Sequence, residues 1–470
     1  MTALATYRTR LAGLLAELAA AHGPPGAVCG VLVGDQSEVA SWGVANVATG
    51  VRVTPTTLFQ IGSITKIYTA TLVMQAVSAG VISLEEPVRA QLQEFMVADP
   101  GATIEITPRH LLTHTSGIEG DHLVDTGWNA DALARYVATL AGLGQVHPTD
   151  EAYSFCNTGY GVAGRLLEVA TGEHFDRVLR RRLTRPLGCR ATLTLPQHAL
   201  LHSVAVGHVQ TLRGEPTRQS RWVLTRSNGP MGGIMAPAGE LLAFARMHID
   251  AGRAHDGIDM LAPAAVEAMQ RPHVESPVPG ELQALGWTVR RWGELTCLGQ
   301  DADTFGQRAL LRVVPERAFA VCVMTNSPTG GPLGQALVER VAADLLDVPT
   351  GSLAPPGAND GHAASPATAG LAAIQGTYDR LHQRITVSVA DGRLRLATEP
   401  SGVLQALGVR DAVLEMTAID GVDGVDGARR VILAGADPTT GQREVAVFTP
   451  ASAAQPAGLY LSGRLHRRTG

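Results

Sequence analysis

The sequence predicts a mixed α/β protein of the α+β kind, with a sheet that begins antiparallel and a separate small β domain at the C-terminal end. Three observations carry this. "AVCGVLVGDQSEVASWGVANVATG" (27–50) holds two β-rich runs around a Gly-Asp-Gln-Ser turn, which is the pattern of a hairpin. Helical patterns dominate residues 110–185, and short β-branched or apolar runs return only between 286 and 326. After a stretch rich in Gly, Pro, Ala and Ser, strand-like alternation resumes and continues almost to the end.

Taken in order, "YRTRLAGLLAELAAAHG" (7–23) reads as an amphipathic helix stopped by Gly23, and the hairpin follows it. A second helix starts at or near Ser63, runs through "ITKIYTATLVMQAVSAG" and stops at Gly80. The late strands are "LGWTVRRWG", "RALLRVVP" and "AFAVCVMTN", followed by the helix "LGQALVERVAADLL". Residues 351–370 show no apolar period and read as a linker between a domain of residues 1–350 and one of residues 371–470. In the second domain "RITVSVADGRLRLAT" alternates about an Asp391-Gly392 turn, and "ARRVILAG" and "EVAVFTP" continue the pattern. A barrel or half-barrel is expected there, with "GVDGVDG" (421–427) as a local turn.

At 470 residues, with 45% hydrophobic and 17% charged residues, the chain supports a large buried core and is not disordered. A net charge of -5 leaves no electrostatic footprint for nucleic acid. The cluster Arg180, Arg181, Arg182 and Arg185 reads as the solvated face of a helix. Residues 1–30 lack the pattern of a secretory signal, and no stretch approaches a membrane span. The five scattered cysteines, without metal-ligand spacing, suit buried thiols of a reducing compartment. A cytoplasmic protein without membrane partners, metal or organic cofactor is therefore expected; oligomeric state is not legible.

Among 38 basic residues Lys66 is the only lysine, and it stands three residues after Ser63. A guanidinium stays protonated under all ordinary conditions, whereas a desolvated lysine can give up its proton and act as a base. Three residues apart on a helix, Ser63 and Lys66 share a face. A buried, neutral Lys66 would take the Ser63 proton and make the hydroxyl a nucleophile, with free N–H groups at the helix start available to an oxyanion. Alone, Ser-x-x-Lys is only a hypothesis, so its flanks decide.

"TTLFQIGSITK" (56–66), "TPRHLLTHTSGI" (107–118) and "NTGYGVAGRLLEVATG" (157–172) occur in that order. Over roughly residues 20–345 the chain resembles the serine β-lactamase and penicillin-binding-protein superfamily, in particular its class C β-lactamase-like esterases, D-amino-acid peptidases and acyltransferases. The resemblance implies an antiparallel sheet flanked by helices, a helical subdomain, and an active site between them. It also implies that Ser63 is the nucleophile, Lys66 its base partner and Asn157 a further catalytic residue. Some relatives carry a lipocalin-like β appendage, penicillin-binding-protein-type thioesterases among them, and that matches the expected C-terminal domain.

Two motifs depart from the family's pattern. Where it has Tyr-x-Asn, "AYSFCNTGY" has Phe155 and Asn157, and a phenyl ring moves no proton. Tyr153, two residues earlier, shares a side with Phe155 in an extended segment and reads either as a substitute or as packing. Where the family has a Lys or His, then any residue, then Gly, "LTCLGQDADTFGQRALLRVVP" has Gln300, Asp301 and Ala302. Gln300 hydrogen-bonds a substrate without charge, and Ala302 narrows the space a glycine leaves.

Two readings stay open. One is serine acyl transfer on a small-molecule or peptide acyl substrate by Ser63 and Lys66, with Asn157, Gln300, Asp301, Tyr153 and Phe155 around the substrate. Esterase, amidase, acyltransferase and thioesterase-like cyclase of specialised metabolism all fall within it. The other is a retired site that binds an acyl or peptide ligand. His114 reads as packing, "RSNGPMGGI" (226–234) as either a cleft loop or a tight connection, and Arg464, Arg467 and Arg468 as a solvated tail or a clamp for a substrate carboxylate.

Overall fold

The central strands of the large sheet are buried on both faces, so their alternating side chains feed two separate cores. The computed structural model describes residues 3–210, 215–220, 222–348, 374–390, 393–406, 409–423, 429–437, 440–450 and 457–470. The linker at 351–370, the Asp391-Gly392 turn and residues 424–427 of "GVDGVDG" lie outside the described residues.

Eight strands make one antiparallel sheet: β1 (Gly26–Val33), β2 (Gln36–Gly43), β3 (Val274–Glu275), β4 (Leu282–Gln283), β5 (Thr288–Trp292), β6 (Leu295–Thr304), β7 (Gln307–Val314) and β8 (Phe319–Thr325). Their spatial order is β2-β1-β8-β7-β6-β5-β4-β3. The hairpin turn is tighter than the sequence suggested, since Val33 pairs with Gln36 and only Gly34 and Asp35 lie between. Along β8, Phe319, Val321 and Val323 join Val31 of β1 in one cluster, while Ala320, Cys322 and Met324 join Val28 in the other. Helix α1 (Ala3–His22) covers the first face through Leu11 and Leu15, together with Leu337 and Val341 of α5 (Gly330–Leu346). Helices α2 (Thr65–Ser78) and α4 (Ala238–Ile249) cover the second, and α3 (Asn157–Thr171) heads the helical part beyond them.

Every residue of α2 from Thr65 to Met74 is buried, so its polar side chains need partners inside the protein. Thr69 donates to the Pro230 carbonyl at 2.7 Å, and Thr71 to the Ile67 carbonyl at 2.8 Å. Lys66 belongs to this series.

Helix α5 ends at Leu346, and the C-terminal domain begins with β9 (Gly376–Arg380). It continues through β10 (Gln383–Ala390), β11 (Arg393–Pro400), β12 (Ala412–Asp423), β13 (Arg429–Ala436), β14 (Arg443–Thr449), β15 (Gly458–Leu461) and β16 (Arg464–Arg468). These eight strands form a closed barrel, sealed where Tyr378 and Asp379 pair with Arg468 and Arg467. Closure leaves no unpaired edge, and Tyr378, Ile385, Leu396, Leu433, Phe448 and Leu459 fill the interior. The last arginines form the closing strand rather than a tail: Arg467 and Arg468 are exposed on it, Arg467 donating to the Val146 carbonyl at 2.7 Å, while Arg464 is half-buried and lines the cavity described below. Leu465 and His466 are both buried although they are neighbours in the strand, so "GRLHRR" carries no simple alternation from which the strand could be read.

Candidate active site

A short 3₁₀ turn, Gly62–Ile64, precedes α2 and carries Ser63 to the edge of the sheet. Gly62 has φ +46°, and a Cβ there would meet the Thr304 methyl at 2.8 Å and the Ala302 Cβ at 3.1 Å, so the turn lies directly against β6. Beyond Gly299 strand β6 stays paired with β7 but, among the described residues, has no strand partner on the β5 side, which leaves a strand edge beside Ser63.

The three-residue spacing places Lys66 Nζ 3.0 Å from Ser63 Oγ, and Nζ also donates to the Met231 carbonyl at 2.7 Å. The glycine-rich segment 226–234 is thus part of the site rather than a remote connection. Burial, and after it the charge of Arg464, lower the Lys66 pKa to about 7, against the opposing pull of Asp121 and Cys156. Near neutral pH a large share of the amine is therefore unprotonated.

The loop before α3 forms the second wall. His114, at φ +62°, fixes it by accepting from the Cys156 N–H at Nδ1 (2.9 Å) and from the Ser154 N–H at its carbonyl (2.9 Å). Burial, then Lys66, hold the His114 imidazole neutral, so its role is to build the loop. Tyr153 packs edge-on against the His114 ring at 5.6 Å, and burial pushes its phenol up. The Phe155 ring lies 4.8 Å from Lys66 Nζ, and Tyr160 of α3 lies 5.6 Å from it.

Strand β6 is the third wall. Gln300 donates to the Asp301 carbonyl at 3.3 Å and lines the cavity. Asp301 also reaches the cavity, but its carboxylate is engaged by Arg312 and, at 3.8 Å, by Arg290. Burial pushes its carboxyl up, yet these two guanidinium groups outweigh burial and hold it below the usual range.

The fourth wall is the barrel, and here the sequence offered little. Asp121, buried, accepts from Asn157 Nδ2 at 2.7 Å, from Arg380 Nη1 of β9 at 2.5 Å and from Arg464 Nε of β16 at 2.8 Å. Burial would raise its carboxyl, but Arg464 and Arg380 prevail and keep it well below the carboxylate range. Phe155 N–H donates to the Gly463 carbonyl at 3.0 Å, and the Leu381 N–H to Glu119 at 3.1 Å, so the barrel is stitched to the loop that carries Phe155. Arg464 also sits over the Phe155 ring at 4.6 Å. Asp121 and Arg380 had no local signal, because the charged groups that pair with them lie hundreds of residues away. Arg464 was legible only as one of two alternatives.

Between these walls lies a cavity of about 580 Å³, lined by Ser63, Tyr153, Phe155, Asn157, Gln300 and Arg464 among others. That volume is in the range of small-molecule sites. Among the described residues no cluster of His, Cys, Asp and Glu is arranged to hold a metal ion. None of their helices is long and apolar enough to cross a membrane.

An antiparallel sheet flanked by helices, with a serine hydrogen-bonded to a buried lysine at the cavity, defines the β-lactamase/transpeptidase class of fold. Residues 11–346 match the family model described as Beta-lactamase, and the chain belongs to that family. It is 39% identical over 366 residues to "Penicillin-binding protein 4" of Amycolatopsis lactamdurans, covering 76% of this chain and 94% of that protein. Among solved structures, that of SurE superposes with a TM-score of 0.75 at 26% identity, covering 99% of this chain and all of that one. A second SurE structure, with D-Leu, gives a TM-score of 0.74 at the same identity and covers 99% of this chain. The likeness to SurE therefore extends over the barrel as well as the large domain.

Proposed function

We propose that the protein is a serine acyl-transfer enzyme that works through an acyl-enzyme on Ser63 with Lys66 as its base. The observation that carries this reading is the 3.0 Å contact with Ser63 Oγ of a buried lysine whose pKa burial lowers to about 7. Ser63 Oγ attacks the substrate carbonyl while its proton passes to Lys66 Nζ. The Ser63 N–H and an N–H from the free edge of β6 stabilise the oxyanion. Lys66 then returns the proton to the leaving group; in the second half it takes a proton from the acceptor as that group attacks the ester, and passes it to the departing Ser63 Oγ, which restores the hydroxyl and the neutral amine.

Asn157 and Gln300 orient the substrate, while Tyr153 and Phe155 supply an apolar wall. Asp301, bound by Arg312 and Arg290, acts on the substrate only by shaping β6. With neither a phenol at Phe155 nor a basic group at Gln300, activation of water is weaker than acylation. This favours ester or thioester donors and an amine acceptor that brings its own nucleophilicity. A thioesterase-like cyclase or transacylase of specialised metabolism, acting on a peptide acyl chain, fits best. The end-to-end likeness to SurE, a protein also seen with D-Leu, supports an amino-acid-derived substrate. Five unpaired, buried cysteines support a cytoplasmic setting.

The same two losses favour a rival reading, a binding protein without turnover. Incubation with a panel of peptidyl thioesters, with and without an amine acceptor, separates the two by mass spectrometry. Thiol release with transfer to the amine, lost in Ser63→Ala, supports the enzyme; unchanged thioesters bound equally by wild type and variant support the binder.

A further inference from the structure

We propose that Arg464, carried on the C-terminal barrel, is a positioning residue for acyl transfer, acting through the Phe155 ring to keep Lys66 in its unprotonated, basic form. The inference takes its purpose from the acyl-transfer reading, but its test does not depend on turnover.

The geometry is the first argument. Lys66 Nζ and the Arg464 guanidinium lie 4.8 Å and 4.6 Å from the centre of one phenyl ring. The two charges are therefore within about 10 Å of each other, both against the same hydrocarbon ring. A cation held there raises the cost of protonating Lys66.

The charge inventory is the second. Lys66 faces Ser63 on its own element and the Met231 carbonyl from segment 226–234. From the loop before α3 it faces Phe155 and the Cys156 thiol, which burial pushes up to about 12. Tyr160 of α3 and His114 complete the near shell, the first with its phenol pushed up by burial and the second held neutral by it. The remaining charges are Asp121 and Arg464. Asp121 does not cancel Arg464, because it also binds Arg380, so one carboxylate serves two guanidinium groups. Other acids face the arginines: Glu119 near Arg380 and Glu444 near Arg464, and burial pushes both carboxyls up toward the neutral form. Asp303 faces Arg464 as well, and of the barrel's groups it is Arg464 whose charge acts on the lysine.

On this view Phe155 is not a decayed tyrosine. A phenyl ring at this position packs against both side chains without adding a group that could itself exchange a proton with Lys66. Docking of the barrel then both completes the cavity and primes the base.

Because Lys66 is the only lysine of the chain, lysine labelled with ¹³C at Cε gives a single side-chain resonance in the full-length protein. Its titration midpoint in wild type is expected at about 7. In Arg464→Gln, which keeps a hydrogen-bond donor for Asp121, the midpoint rises by about one pH unit. Arg467→Gln on the same strand leaves it in place. Asp121→Asn, which removes the opposing charge, lowers it, and this opposite sign is not produced by general loosening of the site. If Arg464→Gln does not fold, Asp121→Asn alone decides. A midpoint in Arg464→Gln within about 0.3 pH unit of wild type, or one in Asp121→Asn that fails to fall, overturns the proposal. Absence of any acylation of Ser63, with these shifts intact, would instead overturn only the acyl-transfer reading.

Discussion

The wall that carries the nucleophile and the wall supplied by the barrel are built over very different lengths of chain. Ser63 and Lys66 stand three residues apart, and one turn at the head of α2 is enough to bring them together. Arg464 and Asp121 are separated by 343 residues, and only the docking of a closed barrel onto the loops of the large domain joins them. The first wall holds the reacting groups, and the second sets the electrostatic conditions under which one of them is a base. Residue type and local spacing encode the chemistry, then, while its tuning is a tertiary product.

The comparison can be broken most severely at the first wall. Lys66→Arg keeps the charge but removes the proton acceptor, so the rate of Ser63 acylation should fall by about 10²- to 10⁴-fold. Stopped-flow or quenched mass spectrometry with an activated ester reads this, and a rate within a few-fold of wild type would mean that Lys66 is not the base.

At the second wall the largest effect is on stability. Asp121→Ala leaves the buried Arg380 side chain and the half-buried Arg464 without their carboxylate, and the loss of a buried partner costs up to about 3–5 kcal/mol, less the share that solvent at Arg464 recovers. Urea denaturation followed by intrinsic fluorescence should show it as an early transition, and a midpoint equal to wild type would contradict the ionic joint described here.

The pH dependence joins the two walls. With its pKa lowered to about 7 in the folded protein, Lys66 is protonated below that pH and free above it. The acylation rate should rise with pH, gaining about tenfold per unit below pH 7 and levelling off above about pH 8. A rate that falls through the same window, or stays flat, would assign the base elsewhere. The smallest effect is expected at Gln300→Ala, which removes one neutral substrate hydrogen bond and should raise KM by about 2- to 10-fold with little change in kcat.

Much of the large domain was legible because its signals are local. The hairpin runs at 27–43, the buried runs of β7 and β8, and the Ser-x-x-Lys turn depend on neighbours within a few residues. Strand β6 was harder: "LTCLGQDADTFG" carries Gly, Asp and Gln where strand formers are expected, because its edge borders the cavity and Asp301 is matched by Arg312 and Arg290 across neighbouring strands. The barrel was legible as alternating strands, but not its closure, which rests on the pairing of β9 with β16. Asp121 in "GIEGDHL" and Arg380 in "TYDRLHQR" stand in no motif and were not singled out in the sequence. The last strand read as a polar tail because four of the six residues in "GRLHRR" are basic or His, and only the fold shows that Arg464 faces the cavity.

The central claim is that Ser63 is an activated nucleophile, and intact-protein mass after exposure to a fluorophosphonate tests it most directly. One adduct is expected on the wild-type protein, none on Ser63→Ala, and only slow modification of Lys66→Arg. An unmodified wild-type protein, or an adduct that persists in Ser63→Ala, would contradict it.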